Sequence, residues 1–85
     1  MPFYVYILLC TDGSFYTGYT KNIHARTRLH ASGKGARYTK MHEPEKVAYV
    51  ELFNSRVEAM KREREIKKMT HQQKLDLVGS QNANE

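Results

Sequence analysis

The sequence predicts a small α+β domain, with a three-stranded antiparallel sheet flanked by helices in the order strand-strand-helix-strand-helix-helix. Two observations carry this prediction: short alternating runs of aromatic and branched residues, and two helix-capping patterns in the second half of the chain. The 85 residues suffice for one domain. We expect that domain to occupy residues 1–79, with residues 80–85 as a polar tail without stable structure.

The first two strands are predicted at residues 3–10 and 15–20, because both runs are rich in aromatic and branched side chains. The turn sequence Thr11-Asp12-Gly13-Ser14 joins them as a hairpin. Two registers are open. A two-residue Asp12-Gly13 loop places Tyr6 and Tyr16 on opposite faces of the sheet, whereas a three-residue loop with Gly13 at positive φ places them on one face.

Asn22 is a typical N-cap for a helix over residues 23–32, which Gly33 can end. A basic connection follows over residues 34–43, and Pro44 separates it from a third strand over residues 46–53.

Two more helices are predicted from capping boxes. The first begins at Ser55-Arg56-Val57-Glu58 and runs to about Met69. The second begins at Thr70-His71-Gln72-Gln73 and ends near Gly79.

The chain carries a formal net charge of +5, with 40% hydrophobic and 27% charged residues. This composition is typical of a soluble globular protein, and its charge favours polyanionic partners, although many small proteins are basic for no functional reason. No apolar run is long enough to cross a bilayer, so we expect no membrane partner. The single cysteine, Cys10, suits the reducing cytoplasm.

Several residues with charged or titratable side chains lie at spacings that place them on one face of a predicted helix. Arg26 and His30 are separated by one helical turn and therefore share a helix face. Glu63 lies on the same helix stripe as the apolar Ala59 and Ile66, where an unpaired carboxylate is costly. Taken singly, each has a structural explanation; Glu63, for example, can pair with Lys67 on the next turn.

Taken together, these residues resemble the GIY-YIG nucleases. Tyr4-Val5-Tyr6 and Tyr16-Thr17-Gly18 are similar to the two halves of the family signature, with Tyr4, Val5 and Thr17 in place of its glycine and two isoleucines. The segment YTGYTKNIHARTRLH resembles the second half and its helix, and EAMKREREIKK resembles the acidic helix. The sequence is most similar to the small bacterial members that consist of a single domain. This similarity extends from residue 3 to about residue 78.

The resemblance implies a metal-dependent endonuclease that hydrolyses phosphodiester bonds in DNA, with DNA repair or recombination as a hypothesis for its role. It implies that a glutamate holds Mg²⁺ or Mn²⁺, here Glu63, with no small-molecule cofactor. It also implies a catalytic set of five residues: Tyr6, Tyr16, Arg26, His30 and Glu63. Tyr16 would be the general base or position the water, Arg26 would steady the phosphate and His30 would assist proton transfer.

A shared site for the two tyrosines requires the three-residue loop, which places Tyr6 opposite Gly18 and leaves room there for a phosphate. We expect Arg26, His30 and a bound metal ion to lower the tyrosine pKa. A loop with basic and aromatic side chains is suited to contacts with the nucleic-acid backbone and bases, or is simply an exposed loop. The candidate nucleic-acid-binding residues are Gly18, Lys34, Arg37, Tyr38 and Lys40.

Three functional alternatives remain open. The first is the endonuclease, the second is a DNA-binding module with the same fold and little or no turnover, and the third is a protein-interaction domain with incidental charge. The basic residues of the acidic helix are compatible with a solvated face or with phosphate contacts.

Overall fold

The computed structural model describes residues 2–26 and 44–82. Its three strands form one antiparallel sheet, with β1 (Phe3–Cys10) in the centre, β2 (Phe15–Thr20) on one edge and β3 (Pro44–Phe53) on the other. Two helices follow, α1 (Arg56–Lys67) and α2 (His71–Asn82). The predicted α+β class and the order of elements are confirmed, while the strand order, which local signals did not determine, is β2-β1-β3.

The hairpin has the register that the three-residue loop predicts. Cys10 and Ser14 close the turn with a 2.9 Å hydrogen bond from the Cys10 N–H to the Ser14 carbonyl. Gly13 has a φ of 85°, a conformation that glycine adopts without a steric penalty. Asp12 supports the turn, because its Oδ1 accepts hydrogen bonds from the Ser14 N–H and hydroxyl.

Two predicted boundaries of the second half are wrong by a few residues. Pro44 is the first residue of β3 rather than a separator before it. This position is allowed because β3 is an edge strand, where a missing N–H costs no internal ladder bond. Helix α1 ends at Lys67, two residues before the predicted Met69, with Lys68 as its C-cap.

Helix α2 continues past the predicted end at Gly79, so residues 80–82 belong to the helix and not to a tail. Gly79 does not have the positive φ of a helix-ending glycine. The last turn is held in place by Gln81, whose side-chain amide donates to the Val50 carbonyl at 2.8 Å and accepts from its N–H at 3.2 Å. These bonds also cover part of the β3 edge, which would otherwise expose unpaired backbone groups.

Helix α1 is the main cover of the sheet. Ser55 caps it as predicted, because its hydroxyl accepts from the Glu58 N–H at 3.2 Å. Ala59 and Ile66 are fully buried on its inner stripe and pack in one cluster with Val5 and Ile7 of the central strand. This packing fixes the rotation of α1 about its axis and therefore the direction of its other side chains.

Helix α2 is fixed at its start by two sets of contacts. Thr70 and Gln73 form the reciprocal capping box that the sequence predicts, with bonds of 2.8 and 3.1 Å. His71 stacks on Phe15 with ring centroids 4.9 Å apart, and its Nε2–H donates to the Gly13 carbonyl at 2.9 Å. Among the described residues, no helix has the length and apolar character needed to cross a membrane.

Gly18 permits a close approach of two aromatic rings to β2. A Cβ at this position would lie 2.6 Å from the Tyr6 hydroxyl oxygen, 2.8 Å from Cζ of the same ring and 3.3 Å from Cε2 of Tyr16. The Tyr6 ring is 1% exposed and has no space into which it can retreat without moving its neighbours.

We therefore expect Gly18→Ala to destabilise the fold by roughly 1–3 kcal/mol through overpacking. Gly79→Ala is the matched control, because a Cβ there meets nothing within 4 Å and alanine favours the helix by roughly 0.8–1 kcal/mol. Relative to the wild-type protein, the unfolding temperature should fall for Gly18→Ala and rise for Gly79→Ala. An unchanged unfolding temperature for Gly18→Ala would contradict the tight packing of Tyr6.

Candidate active site

The two signature tyrosines lie on one face of the hairpin. Tyr6 pairs with Gly18 and Leu8 pairs with Tyr16, so the side chains of Tyr6, Leu8 and Tyr16 project from the same side of β1 and β2. The Tyr6 and Tyr16 ring centroids are 6.4 Å apart, with the rings tilted by 44°. The prediction that both tyrosines share a face is confirmed.

The tyrosines border an open cleft of about 600 Å³ at the β2 side of the sheet. Four of the five predicted catalytic residues, Tyr6, Tyr16, Arg26 and Glu63, line it, and so does Gly18. Its remaining lining comes from the ends of β1 and β2 and from the start of α1: Phe3, Tyr19, Thr20, Lys21, Asn22 and Arg56.

The other predicted site residues lie outside the described residues. They are His30, Lys34, Arg37, Tyr38 and Lys40.

Gly18 does not leave room for a phosphate, contrary to the prediction. The missing side chain makes space for the hydroxyl end of Tyr6 and the edge of Tyr16, which fill it. Gly18 therefore determines how closely the two rings approach β2. A phosphate must bind at the exposed part of the cleft instead.

Thr17 occupies a position of the signature where the family has isoleucine, and the structure does not explain the exchange. The side chain is buried, and its hydroxyl has no hydrogen-bond partner within residues 2–26 and 44–82. It therefore fills apolar space as a branched side chain would, without a polar role.

Arg26 is positioned by the junction between β2 and the helical residues 23–26. Asn22 caps this turn as predicted, because its Oδ1 accepts from the Ala25 N–H at 3.0 Å and its carbonyl accepts from the Arg26 N–H at 3.1 Å. Thr20 fixes the cap in turn, since its hydroxyl accepts from the Asn22 N–H at 3.2 Å. The end of β2 thus directs Arg26 to the cleft.

Glu63 faces the cleft from α1, and its side chain is 17% exposed. The prediction that it lies towards the apolar stripe is confirmed by the burial of Ala59 and Ile66 on either side. Its pairing with Lys67 is confirmed too, with 3.6 Å between Oε1 and Nζ. Because the Lys67 side chain is about half exposed, this pair stabilises the helix by only about 0.3–0.5 kcal/mol and leaves Glu63 available to another cation.

The pKa values of both tyrosines are raised, although Arg26 acts to lower them as expected. Burial is the largest cause of the raised pKa of Tyr6, followed by Tyr16, and Arg26 acts to lower it. Burial is again the largest cause for Tyr16, and the negative charge of Glu63 also raises its pKa, against an opposing effect of Arg26. Both hydroxyls are therefore neutral at physiological pH.

Two cations at the cleft were not predicted from the sequence. Arg56 donates from Nε to the Tyr19 hydroxyl at 3.3 Å, and Lys21 places its Nζ 5.7 Å from the centre of the Phe3 ring. The spacing of Arg56 offered a signal, because it precedes Glu63 by two helical turns on one stripe. Lys21 had no signal of its own beyond its place after β2.

Arg62 is held away from the cleft. Its guanidinium contacts the Glu51 carboxylate at 3.3 Å and Glu65 at 3.4 Å, while the Tyr49 hydroxyl also donates to Glu51. The interpretation of the basic residues of α1 as one solvated face is therefore wrong at Arg62, whose charge is compensated by two carboxylates. Among the described residues, neither Arg26 nor Arg56 forms an ion pair of this kind.

Comparison with known proteins gives consistent matches over most of the chain. Residues 2–76 match the family described as the GIY-YIG catalytic domain. A UPF0213 protein of Staphylococcus haemolyticus is 53% identical over 75 residues, covering 88% of this chain and 92% of the relative. A UPF0213 protein of Staphylococcus aureus is 49% identical with the same coverage.

Two structures determined in solution by NMR have the same fold. The UPF0213 protein BH0048 of Bacillus halodurans matches with a TM-score of 0.60 and 47% identity, over 93% of this chain and 84% of that one. The protein EF2693 of E. faecalis matches with a TM-score of 0.66 and 40% identity, over 98% and 88% of the two chains.

The signature tyrosines on one face, Arg26 and Glu63 at the same cleft, and the match over nearly the whole chain agree with each other. This chain belongs to the GIY-YIG catalytic domain family, alongside the UPF0213 proteins.

Proposed function

We propose that this protein is a metal-dependent endonuclease that hydrolyses phosphodiester bonds in DNA. The observation that carries the proposal is the convergence of Tyr6, Tyr16, Arg26 and Glu63 on one open cleft. Family membership supports a nuclease-type activity. A cytoplasmic location and a role in DNA repair or recombination fit this chemistry and form part of the proposal.

Arg26 is proposed to bind the phosphate that is cleaved. A guanidinium presents two parallel N–H donors that match two phosphate oxygens, and it remains charged at any physiological pH. Negative charge grows on these oxygens as water attacks phosphorus, so a cation that is already positioned stabilises the transition state more than the ground state. Within the described residues Arg26 has no carboxylate that would compete for this role.

Tyr16 is proposed to position the attacking water rather than to remove its proton. The raised pKa leaves its hydroxyl neutral, and a neutral hydroxyl both donates and accepts hydrogen bonds. Tyr6 is buried beside Tyr16, and its ring restricts the position of the Tyr16 ring. His30 is proposed to assist proton transfer, and Lys34, Arg37, Tyr38 and Lys40 to contact the DNA.

Glu63 is proposed to hold Mg²⁺ or Mn²⁺. The donor chemistry fits, because a carboxylate and hydroxyl oxygens at an open, hydrated cleft are the ligands that these hard ions prefer. The described residues contain no group of three His, Cys, Asp or Glu, so water and phosphate oxygens would complete the coordination. When bound, the ion supplies Lewis-acid stabilisation of negative charge on the phosphoryl group.

A DNA-binding module with the same fold and little turnover is the second candidate. A cleavage assay on plasmid and on duplex, branched and single-stranded DNA, with magnesium, manganese or chelator, separates the two. Metal-dependent cleavage supports the endonuclease. Salt-sensitive binding without cleavage supports the module, and absence of both supports a protein-interaction domain.

Arg26→Ala should reduce metal-dependent nicking of plasmid by at least about 100-fold, since loss of one transition-state donor costs about 10²–10³ in rate. Arg26→Lys should restore only part of the activity, because lysine lacks the planar fork. Lys46→Ala, at an exposed position of β3 outside the cleft, removes the same charge as a control. Equal nicking rates for Arg26→Ala and Lys46→Ala would contradict a role for Arg26 in cleavage.

Glu63→Gln should lower cleavage by orders of magnitude while the protein remains folded, because it removes the carboxylate but keeps its shape. The loss of the partly exposed pair with Lys67 should change the free energy of unfolding by less than about 1 kcal/mol.

Glu65→Gln is the control, because its side chain is 53% exposed and pairs with Arg62 away from the cleft. Thermal unfolding and magnesium-dependent nicking should be measured on the same preparations. Nicking at the wild-type rate by Glu63→Gln would refute the metal-ligand assignment.

A further inference from the structure

We propose that Arg56 and the Tyr19 hydroxyl bind a second phosphate of the DNA strand, next to the phosphate at Arg26 and Glu63. This inference rests on the proposed function, because it assumes that the cleft receives a nucleic acid. It adds a flanking-phosphate subsite at the start of α1, formed by residues outside the family signature.

The distance along α1 separates this subsite from the first. Arg56 and Glu63 line the same cleft and lie seven residues apart, which corresponds to about 10 Å along the helix axis. One phosphate group is much narrower than this distance. Phosphates of one strand follow at about 3.4 Å of axial rise, so a strand bound at Glu63 can bring a nearby phosphate to Arg56.

The hydrogen bond to Tyr19 orients the guanidinium. Arg56 uses Nε for the 3.3 Å bond to the Tyr19 oxygen. The two terminal nitrogens have no acceptor among the described residues, and the one on the same side as the Nε–H can donate to a phosphate oxygen within reach of the Tyr19 hydroxyl. Tyr19 accepts the bond from Arg56 and keeps its own O–H for donation to the same phosphate.

Tyr19 itself is fixed by packing. Its ring is partly buried and contacts the core cluster that contains Val5 and Ile66. The hydroxyl therefore has a defined position at the cleft, and the arginine bound to it loses less conformational freedom when a ligand arrives.

The charge of Arg56 is poorly placed for helix stability. It occupies the first residue of α1, where the helix dipole disfavours a cation. Arg62, on the same helix, is compensated by Glu51 and Glu65, whereas Arg56 contacts a neutral hydroxyl. Lys21 adds a further positive charge to the same cleft. An anion between these groups would relieve their repulsion and satisfy the donors.

The test compares Arg56→Ala and Tyr19→Phe with the wild-type protein, with Lys46→Ala as the charge-matched control. Binding of a short DNA duplex is measured in chelator over a range of salt concentrations. We expect Arg56→Ala to weaken binding about tenfold, as loss of a charge-assisted hydrogen bond does, and to lower the salt slope by about 0.9. Tyr19→Phe should change binding in the same direction by less, and Lys46→Ala should change it little.

A second measurement uses hydrolysis of bis(p-nitrophenyl) phosphate, which contains a single phosphate. Arg56→Ala should raise the KM for a DNA oligonucleotide by a larger factor than the KM for the single-phosphate substrate. Equal losses on both substrates would overturn the proposal, because Arg56 would then act at the cleaved phosphate.

The binding measurement decides the proposal even if the wild-type protein cleaves nothing, a result that would count against the proposed endonuclease alone. Binding and a salt slope for Arg56→Ala equal to those of Lys46→Ala would overturn the subsite. Wild-type protein that does not bind DNA would overturn it too. If Arg56→Ala does not fold, Tyr19→Phe gives the same decision, since it removes the hydroxyl and keeps the ring.

Discussion

The register of the β1–β2 hairpin is the constraint on which the site depends. The turn over residues 11–13, with Gly13 at a φ of 85°, pairs Tyr6 with Gly18 and Leu8 with Tyr16. A shift of one residue would send Tyr16 to the opposite face, because side chains alternate along a strand. Gly18 then allows both rings to lie close to the sheet. Gly13 therefore determines which face the tyrosines occupy, and Gly18 determines how closely their rings pack against β2.

Helix α1 adds the charged part of the site to this aromatic floor. Its buried stripe of Ala59 and Ile66 fixes how the helix is rotated on the sheet, and that rotation turns Glu63 towards the cleft. Four of the charged residues of α1 lie on two different sides of the helix. Arg62 and Glu65 compensate each other together with Glu51 on one side, while Glu63 and Arg56 face the cleft on the other. Within residues 2–26 and 44–82, the cleft therefore combines one carboxylate, Glu63, with the cations Lys21, Arg26 and Arg56.

Much of the fold was predictable because local signals were strong. The Asp-Gly turn, the Asn22 cap and the Thr70–Gln73 capping box each specify a hydrogen bond that the structure contains. The strand order and the true end of α2 were not predictable, because they depend on contacts between distant segments. The bond between Gln81 and Val50 joins residues 31 positions apart and has no local signature.

The candidate site was predictable in its residues but not in its electrostatics. The family resemblance pointed to Tyr6, Tyr16, Arg26 and Glu63, and the structure brings them to one cleft. The sequence indicated that Arg26 lowers the tyrosine pKa values but not that burial outweighs this effect, because burial depends on tertiary packing. Arg56 was missed for a related reason, since only the folded structure places it beside Tyr19.

We propose that DNA binds at the cleft bordered by Tyr16, Arg26 and Glu63. An NMR titration of the isotopically labelled wild-type protein with a short DNA duplex, in chelator to prevent turnover, tests it directly. We expect chemical-shift changes at Tyr16, Gly18, Arg26 and Glu63 that saturate with one dissociation constant, and little change at Glu51 and Glu65. Changes confined to Glu51, Arg62 and Glu65, with the cleft unaffected, would contradict it.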